Sequence, residues 1–264
     1  MKYGLCCKPE IARKIRDFGF DYFEWNVGNM LAPREGEDVF AAALAEAQDT
    51  GLPCPCLCVL LPKELKVVGP EVDLKALEDY CRIVFSRGQK AGIEHITFGS
   101  GGARNIPDGF NPAEAMRQVR QFLQLLSGLA ADNGIIVSLE HLNHLETNML
   151  NSIDDCAALV REINRPSIRL LSDGYHLLME DGNFSALHPH VDLVAHAHIA
   201  TAPNRLAPGM EESDLYPFFS ALIGGGYDGR LSIEGKTGEI EQTLPRALEL
   251  MKQLEQRARE SSLR

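Results

Sequence analysis

The sequence has no apolar run approaching the roughly 20 residues that a membrane-spanning helix needs. Its first residues also lack the basic, apolar and small-residue succession of a secretory leader. A membrane partner is therefore not expected, and a cytoplasmic location is. Basic charge is scarce: 26 Lys and Arg stand against 37 Asp and Glu, a formal net charge of -11. With no local basic run to compensate, that balance would repel a phosphate backbone and argues against nucleic acid as a partner. No Cys-x-x-Cys pair is present among the seven cysteines, so a thiolate-bound structural zinc is not expected. Cys54, Cys56 and Cys58 alternate along one expected strand and read as reduced thiols packing as small apolar groups. Pro/Ser-rich linkers, low-complexity segments and a midway shift of composition are all missing, so residues 1–264 read as one domain. Its polar tail, Glu255–Arg264, is expected to fray.

What is present is ample apolar material, 45% of 264 residues, on a chain near the usual length of an eightfold barrel, about 250 residues. Short β-rich runs alternate with longer amphipathic ones, the pattern of parallel strands joined by helical crossovers. Eight strands are expected, at Tyr3–Cys7, Tyr22–Asn26, Pro53–Leu60, His95–Gly99, Ile135–Glu140, Ile168–Asp173, Leu193–Ile199 and Arg230–Glu234. Eight parallel strands close a barrel, so the fold class is α/β, a single (β/α)8 TIM barrel. The helices carry readable ends. Asn111 can cap one, Pro112 takes its first turn, Glu114 completes a capping box and Gly134 stops it. The stripes Met116–Val119–Phe122–Leu126 and Leu77–Tyr80–Val84–Phe85 then face the barrel as core.

In a parallel barrel the chemistry sits at the carboxyl ends of the strands. Four consecutive strands end in polar residues: Glu140, Asp173, the His196-Ala197-His198 segment, and Glu234. Taken singly, a strand-end carboxylate is commonly a cap or a salt-bridge partner and a histidine a hydrogen-bonded core residue. Together, three carboxylates and an imidazole cannot share a dry barrel mouth unless a cation offsets their charge. An oxygen-rich set with one nitrogen suits one divalent ion, with Mn²⁺ the expected one and Mg²⁺ or Co²⁺ as alternatives.

Several segments carry a resemblance. They are Phe98-Gly99-Ser100 with Arg104-Asn105-Ile106-Pro107, then Ser138-Leu139-Glu140-His141-Leu142-Asn143-His144-Leu145-Glu146, then Ser172-Asp173-Gly174-Tyr175-His176. His196-Ala197-His198 follows, with Asn204-Arg205 and Pro208-Gly209 after it, and then Ser232-Ile233-Glu234. On these motifs the chain resembles the xylose isomerase-like barrel superfamily, and within it the ketose 3-epimerases of the tagatose and psicose 3-epimerase kind. The resemblance implies that Glu140, Asp173, His198 and Glu234 hold the metal and that Glu140 and Glu234 are the catalytic acid/base pair. It further implies that Glu146, His176 and Arg205 bind hydroxyls of a sugar or keto-sugar substrate. A proton beside a ketone is acidified when a cation holds the carbonyl oxygen and stabilises the enediolate. Two carboxylates on opposite faces of that plane epimerise the carbon, whereas one shuttling base isomerises it.

Related chemistries start from the same residues: an inosose dehydratase-like lyase, a hydroxypyruvate isomerase, or a barrel that binds sugar without turning it over. An endonuclease IV-like phosphodiesterase needs extra histidines that the ends of the third and fourth strands, near Cys58 and Phe98-Gly99, do not supply. Glu24 at the end of the second strand can also reach the pocket, with Trp25 then facing the helices, but both read as structural. The Gly99-Ser100-Gly101-Gly102 loop is followed by no Lys-Ser or Lys-Thr and is not expected to open a helix, so it reads as backbone room near substrate instead of a phosphate cradle. Cys6-Cys7-Lys8-Pro9 stands where many of these epimerases carry aromatic residues, which leaves the sugar open. Helix exteriors are compatible with a homo-oligomer.

Overall fold

The computed structural model describes residues 1–262. In chain order the elements are β1 (Lys2–Cys6), α1 (Pro9–Phe18), β2 (Tyr22–Asn26), the short α2 (Val27–Met30), α3 (Glu37–Gln48), β3 (Cys56–Cys58), α4 (Leu74–Ala91) and β4 (His95–Phe98). The short α5 (Gly101–Arg104) follows, then α6 (Pro112–Asp132), β5 (Ile136–Glu140), α7 (Ile153–Ile163), β6 (Ile168–Asp173) and α8 (Gly174–Glu180). A 3₁₀ segment (Phe184–Leu193), β7 (Val194–Ile199), α9 (Tyr216–Gly224), β8 (Arg230–Ile233) and α10 (Ile240–Ser262) complete it. The eight strands pair in parallel in the order β1 to β8, and β8 closes on β1. No helix among the described residues is long and apolar enough to cross a membrane.

Strand side chains alternate between two environments, as a period of two dictates. The outward set, including Leu5, Phe23, Leu57, Ile96, Val137, Leu170, Ile199 and Leu231, is fully buried beneath the helices in one apolar core. Each such side chain contributes roughly 1.5–3 kcal/mol by leaving water. The inward set is mostly polar, and its members meet across the barrel. Tyr22 Oη lies 2.8 Å from Ser232 Oγ, His95 Nε2 lies 2.5 Å from Ser138 Oγ, and the His95 and His196 rings are 5.2 Å apart. Gly4 makes room for this layer, because a Cβ there would overlap the Tyr22 ring.

Four expectations need correction. The third strand spans only Cys56–Cys58, because Pro53 and Pro55 cannot donate to a ladder and Val59 turns to a φ of 56°. Asn111 caps α6 as expected, accepting from Ala113 N and Glu114 N, but Glu114 closes no capping box and pairs with Arg117 instead. A helix does begin behind the glycine loop, the four-residue α5. The tail does not fray: α10 continues through Ser262, and Ala258 is buried. Glu255 accepts from the Met1 ammonium at 2.7 Å and from the Tyr3 hydroxyl, while Arg259 pairs with Asp228 and Glu255. Residues 263 and 264 of that tail lie outside the described residues.

Candidate active site

Glu140 closes β5, Asp173 closes β6, His198 sits one residue before the end of β7, and Glu234 directly follows β8. Ladder register brings Asp173 beside His198, and Glu234 N donates to Ile199 O at 3.1 Å, which sets the last carboxylate alongside. One donor atom from each of the four lies within 4.8 Å of the others. His198 Nδ1 is 3.3 Å from Glu234 Oε2 and 3.7 Å from Glu140 Oε1. Glu140, Asp173 and His198 are buried, and only Glu234 reaches part of the way to solvent.

Three atoms in this cluster, Glu140 Oε1, Asp173 Oδ2 and His198 Nδ1, are buried without a hydrogen-bond partner. A buried polar atom left unsatisfied costs about 1–3 kcal/mol, and three converging on one point make a donor set that fits a divalent cation. The types agree with that fit: carboxylate oxygens and a single imidazole nitrogen favour a hard to borderline ion. Electrostatics agree as well. Burial, against the pull of Arg205, pushes the Asp173 carboxyl up to about 7, and the Glu140 charge adds to the rise. Burial also raises Glu140, although His198 opposes it. Burial acts to raise Glu234 too, but the His198 and Arg205 charges outweigh it and hold this carboxyl below its usual range. The two glutamates are thus driven apart, the situation in which one carboxyl can act as acid and the other as base.

His198 is oriented from below. Its Nε2 donates to both oxygens of Glu24 at 3.1 Å, which fixes the ring with Nδ1 facing the cluster. Burial opposes its protonation, but the Glu24 and Glu234 charges outweigh that and hold the imidazole well above its ordinary range, so a bound cation would take the place of the Nδ1 proton. Glu24 is fully buried and also accepts from His196 Nε2 and Ser232 Oγ, each at 2.8 Å. Burial opposes its ionisation, yet the two imidazoles outweigh that and keep the carboxyl well below its usual range. The structural role read for Glu24 from sequence is therefore too modest, since the carboxylate sits directly under the candidate ligands. Its position on the inner face of β2 was visible, but its partners lie 172 and 174 residues away.

His176, in the first turn of α8, is buried with Nε2 3.6 Å from Asp173 Oδ2 and 3.9 Å from Glu140 Oε1. Its Nδ1 accepts from Asn143 N at 3.2 Å and pairs with Asn143 Nδ2 at 2.8 Å, so the proton belongs on Nε2, facing the cluster. Burial pushes this imidazole well below its ordinary range, and it stays neutral. Asn143 went unassigned because an asparagine after a strand carries no signal separating a positioning role from a turn. Arg205 bridges the site wall. Nη1 donates to Glu146 Oε1 at 2.8 Å and Nη2 to Glu234 Oε2 at 2.5 Å, while its guanidinium lies 4.7 Å above the Tyr175 ring. Glu146 and Arg205 line, with Glu140 and Glu234, a cavity of about 300 Å³. The Gly99–Gly102 loop forms its opposite wall. A Cβ on Gly99 would overlap Glu140 Oε2 and one on Gly101 would come within 2.7 Å of the Glu146 backbone carbonyl, so glycine lets the loop lie against the Glu140 carboxylate and the Glu146 backbone. A larger groove of about 640 Å³ runs past the starts of α6 and α7, but it contains none of the four clustered residues.

Comparison with known proteins bears on the family and the barrel. A family model described as a xylose isomerase-like TIM barrel matches residues 12–254. The 3-dehydro-D-guloside 4-epimerase of Escherichia coli (strain K12) is 28% identical over 230 residues, 85% of each chain. The ketose 3-epimerase of Arthrobacter globiformis is 34% identical over 242 residues, 86% of this chain and 77% of that one. The apo crystal structure of 3-keto-D-glucoside 4-epimerase from E. coli superposes with a TM-score of 0.79 over 96% of this chain and 99% of the other, at 24% identity. At that identity the superposition bears on the fold.

Proposed function

The chain belongs to the xylose isomerase-like TIM barrel family, and on that premise we propose that it is a divalent-metal-dependent sugar epimerase of the ketose 3-epimerase kind. The observation that carries this reading is the convergence of Glu140, Asp173, His198 and Glu234 within 4.8 Å, with two glutamates at the ends of the arc from β5 to β8. Glu140, Asp173, His198 and Glu234 would hold the ion, which we take to be Mn²⁺. When bound, such a cation supplies the positive charge that acidifies a C–H bond beside a carbonyl.

The protein's own groups account for the remainder. Glu140 and Glu234 approach the reacting carbon from the two ends of the ligand arc, so one removes the proton and the other returns one to the opposite face of the planar enediolate. Arg205, held by Glu146 and stacked on Tyr175, and His176, with Nε2–H aimed into the cluster, donate to substrate oxygens. That positioning turns a chance encounter into a fixed approach. The Gly99–Gly102 wall and buried surroundings limit water, which strengthens each of these contacts. Both named relatives invert a carbon next to a ketone, at C3 of a ketose or C4 of a 3-keto sugar. The E. coli relative, matched over 85% of each chain, therefore favours a 3-keto glycoside as the second substrate class.

The test is incubation of metal-loaded protein with ketoses and 3-keto glycosides in D₂O, with products read by NMR. Deuterium at a single inverted carbon of a mass-conserved sugar is expected. Loss of water would replace the reading with a lyase, carbonyl migration would indicate an aldose–ketose or hydroxypyruvate-type isomerase, and no exchange with any sugar would leave a binding barrel.

A further inference from the structure

The opposite side of the barrel mouth carries a second set of donors. Cys6 ends β1, Glu24 lies on β2, and Cys58 ends β3, so three neighbouring strands each present one ligand-forming side chain at the same end as the oxygen-rich cluster. Ladder register aligns Cys6 with Glu24 and Asn26 with Cys58. Inward alternation from Gly4 and Cys56 turns both thiols toward the barrel axis. One donor atom from each of Cys6, Glu24 and Cys58 lies within 4.8 Å of the other two.

This pair of thiols cannot serve as a disulfide without moving the backbone. Cys6 and Cys58 lie on strands separated by β2 and are offset by two residues in register, so their Cα atoms are more than two strand spacings apart, beyond roughly 9 Å. A disulfide needs Cα atoms roughly 4.4–6.8 Å apart. An intervening ion bridges such a gap, because two metal–sulfur bonds of about 2.3 Å each span sulfurs that a direct S–S bond would not. Glu24 has capacity to join them: Oε2 accepts from His196, His198 and Ser232, whereas Oε1 accepts only the shared contact from His198. Access exists as well, since Cys58 lines the 300 Å³ cavity and Cys6 is only partly buried. A nucleophilic role is the weaker alternative, because burial pushes the Cys6 thiol well up.

We infer that Cys6, Cys58 and Glu24 form a second metal site, selective for thiophilic divalent ions such as Zn²⁺ or Cd²⁺. Sulfur donors set its preference apart from that of the oxygen-rich cluster across the mouth. Binding forms two metal–thiolate bonds and releases the two S–H protons to solvent. Glu24 links the two centres, since it also fixes His198. The site does not rest on the proposed epimerase reaction.

The experiment is a Cd²⁺ titration of the full chain, with the oxygen-rich cluster first saturated with Mg²⁺, following ultraviolet thiolate-to-metal charge transfer. One equivalent of Cd²⁺ is expected to give the band. Cys6→Ser, Cys6→Ala and Cys58→Ser are each expected to weaken it at least tenfold, and Cys7→Ser to keep it. Circular dichroism checks that each variant is folded, and the partly buried Cys6 decides the matter alone should Cys58→Ser not fold. Absence of the band in the parent protein, or its persistence in folded Cys6→Ser and Cys6→Ala, would overturn the inference. Because the readout is spectroscopic and uses no sugar, failure here is separable from failure of the epimerase reading.

Discussion

Single atoms set the sharpest expectations. Replacing Glu140 or Glu234 by Gln keeps size and removes the proposed proton-transfer group, and general acid–base catalysis is worth about 10²–10⁴-fold. Deuterium exchange into substrate is expected to fall by at least that factor in either variant while circular dichroism shows the barrel still folded. Near-parent exchange in either one would remove it from the acid/base pair. Glu24→Gln acts one step further back. It weakens the acceptor that orients His198, and loss of such an outer partner costs about 10–100-fold in metal affinity. Calorimetric titration with Mn²⁺ measures this, and an unchanged affinity would make Glu24 a packing residue only. The pH dependence follows from Asp173, whose carboxyl is pushed up to about 7 without metal. The raised value means that the metal-free site retains a proton below about pH 7, and an incoming cation must displace it. Affinity is therefore expected to decline as pH falls through about 7, with proton release on binding; a flat profile from pH 8 to 6 would contradict the assignment.

At the level of strands and helices, the features readable in advance were those with local causes. The alternation of β-rich and amphipathic runs placed all eight strands, and Asn111 announced the start of α6. What was not readable depended on contacts distant in sequence. The polar tail looked free because the partners of Glu255, the Met1 ammonium and the Tyr3 hydroxyl, lie 254 and 252 residues away. Likewise β3 was overextended because alternating cysteines mimic a strand, while the donor lost at each proline weighs against one. The anchoring of α10 can be measured directly. Glu255→Ala removes acceptors from the first strand and from Arg259, and at about 1 kcal/mol for a typical hydrogen bond should destabilise the fold by about 1–2 kcal/mol in urea unfolding. A change within error would mean that α10 is held by its apolar stripe alone.

Across the whole molecule, fold and candidate site are linked through charge. The barrel mouth gathers three carboxylates at one point, so a tightly bound cation should stabilise the folded state by about 2.7 kcal/mol when present at a hundred times its dissociation constant. Chelation is expected to lower the melting temperature and abolish exchange, and Mn²⁺ or Co²⁺ to restore both; indifference to chelator would count against the metal reading. The clustered residues Glu140, Asp173, His198 and Glu234 were legible because strand ends declare themselves. The supporting layer of Tyr22, Glu24, His95, Ser138, His196 and Ser232 was not, since polar residues at inward positions look like unremarkable interruptions of apolar strands.

That layer also bears on how such a scaffold could be altered. Where other barrels pack branched aliphatic side chains through the middle, this one carries hydroxyls, imidazoles and a carboxylate that hydrogen-bond up to His198, so a change at these positions bears on the mouth. Libraries that diversify only the rim, at Val59, Pro62 and Lys63, would explore new sugars on an undisturbed platform. Libraries that reach the inner strand positions would be expected to lose the platform before they gain a substrate.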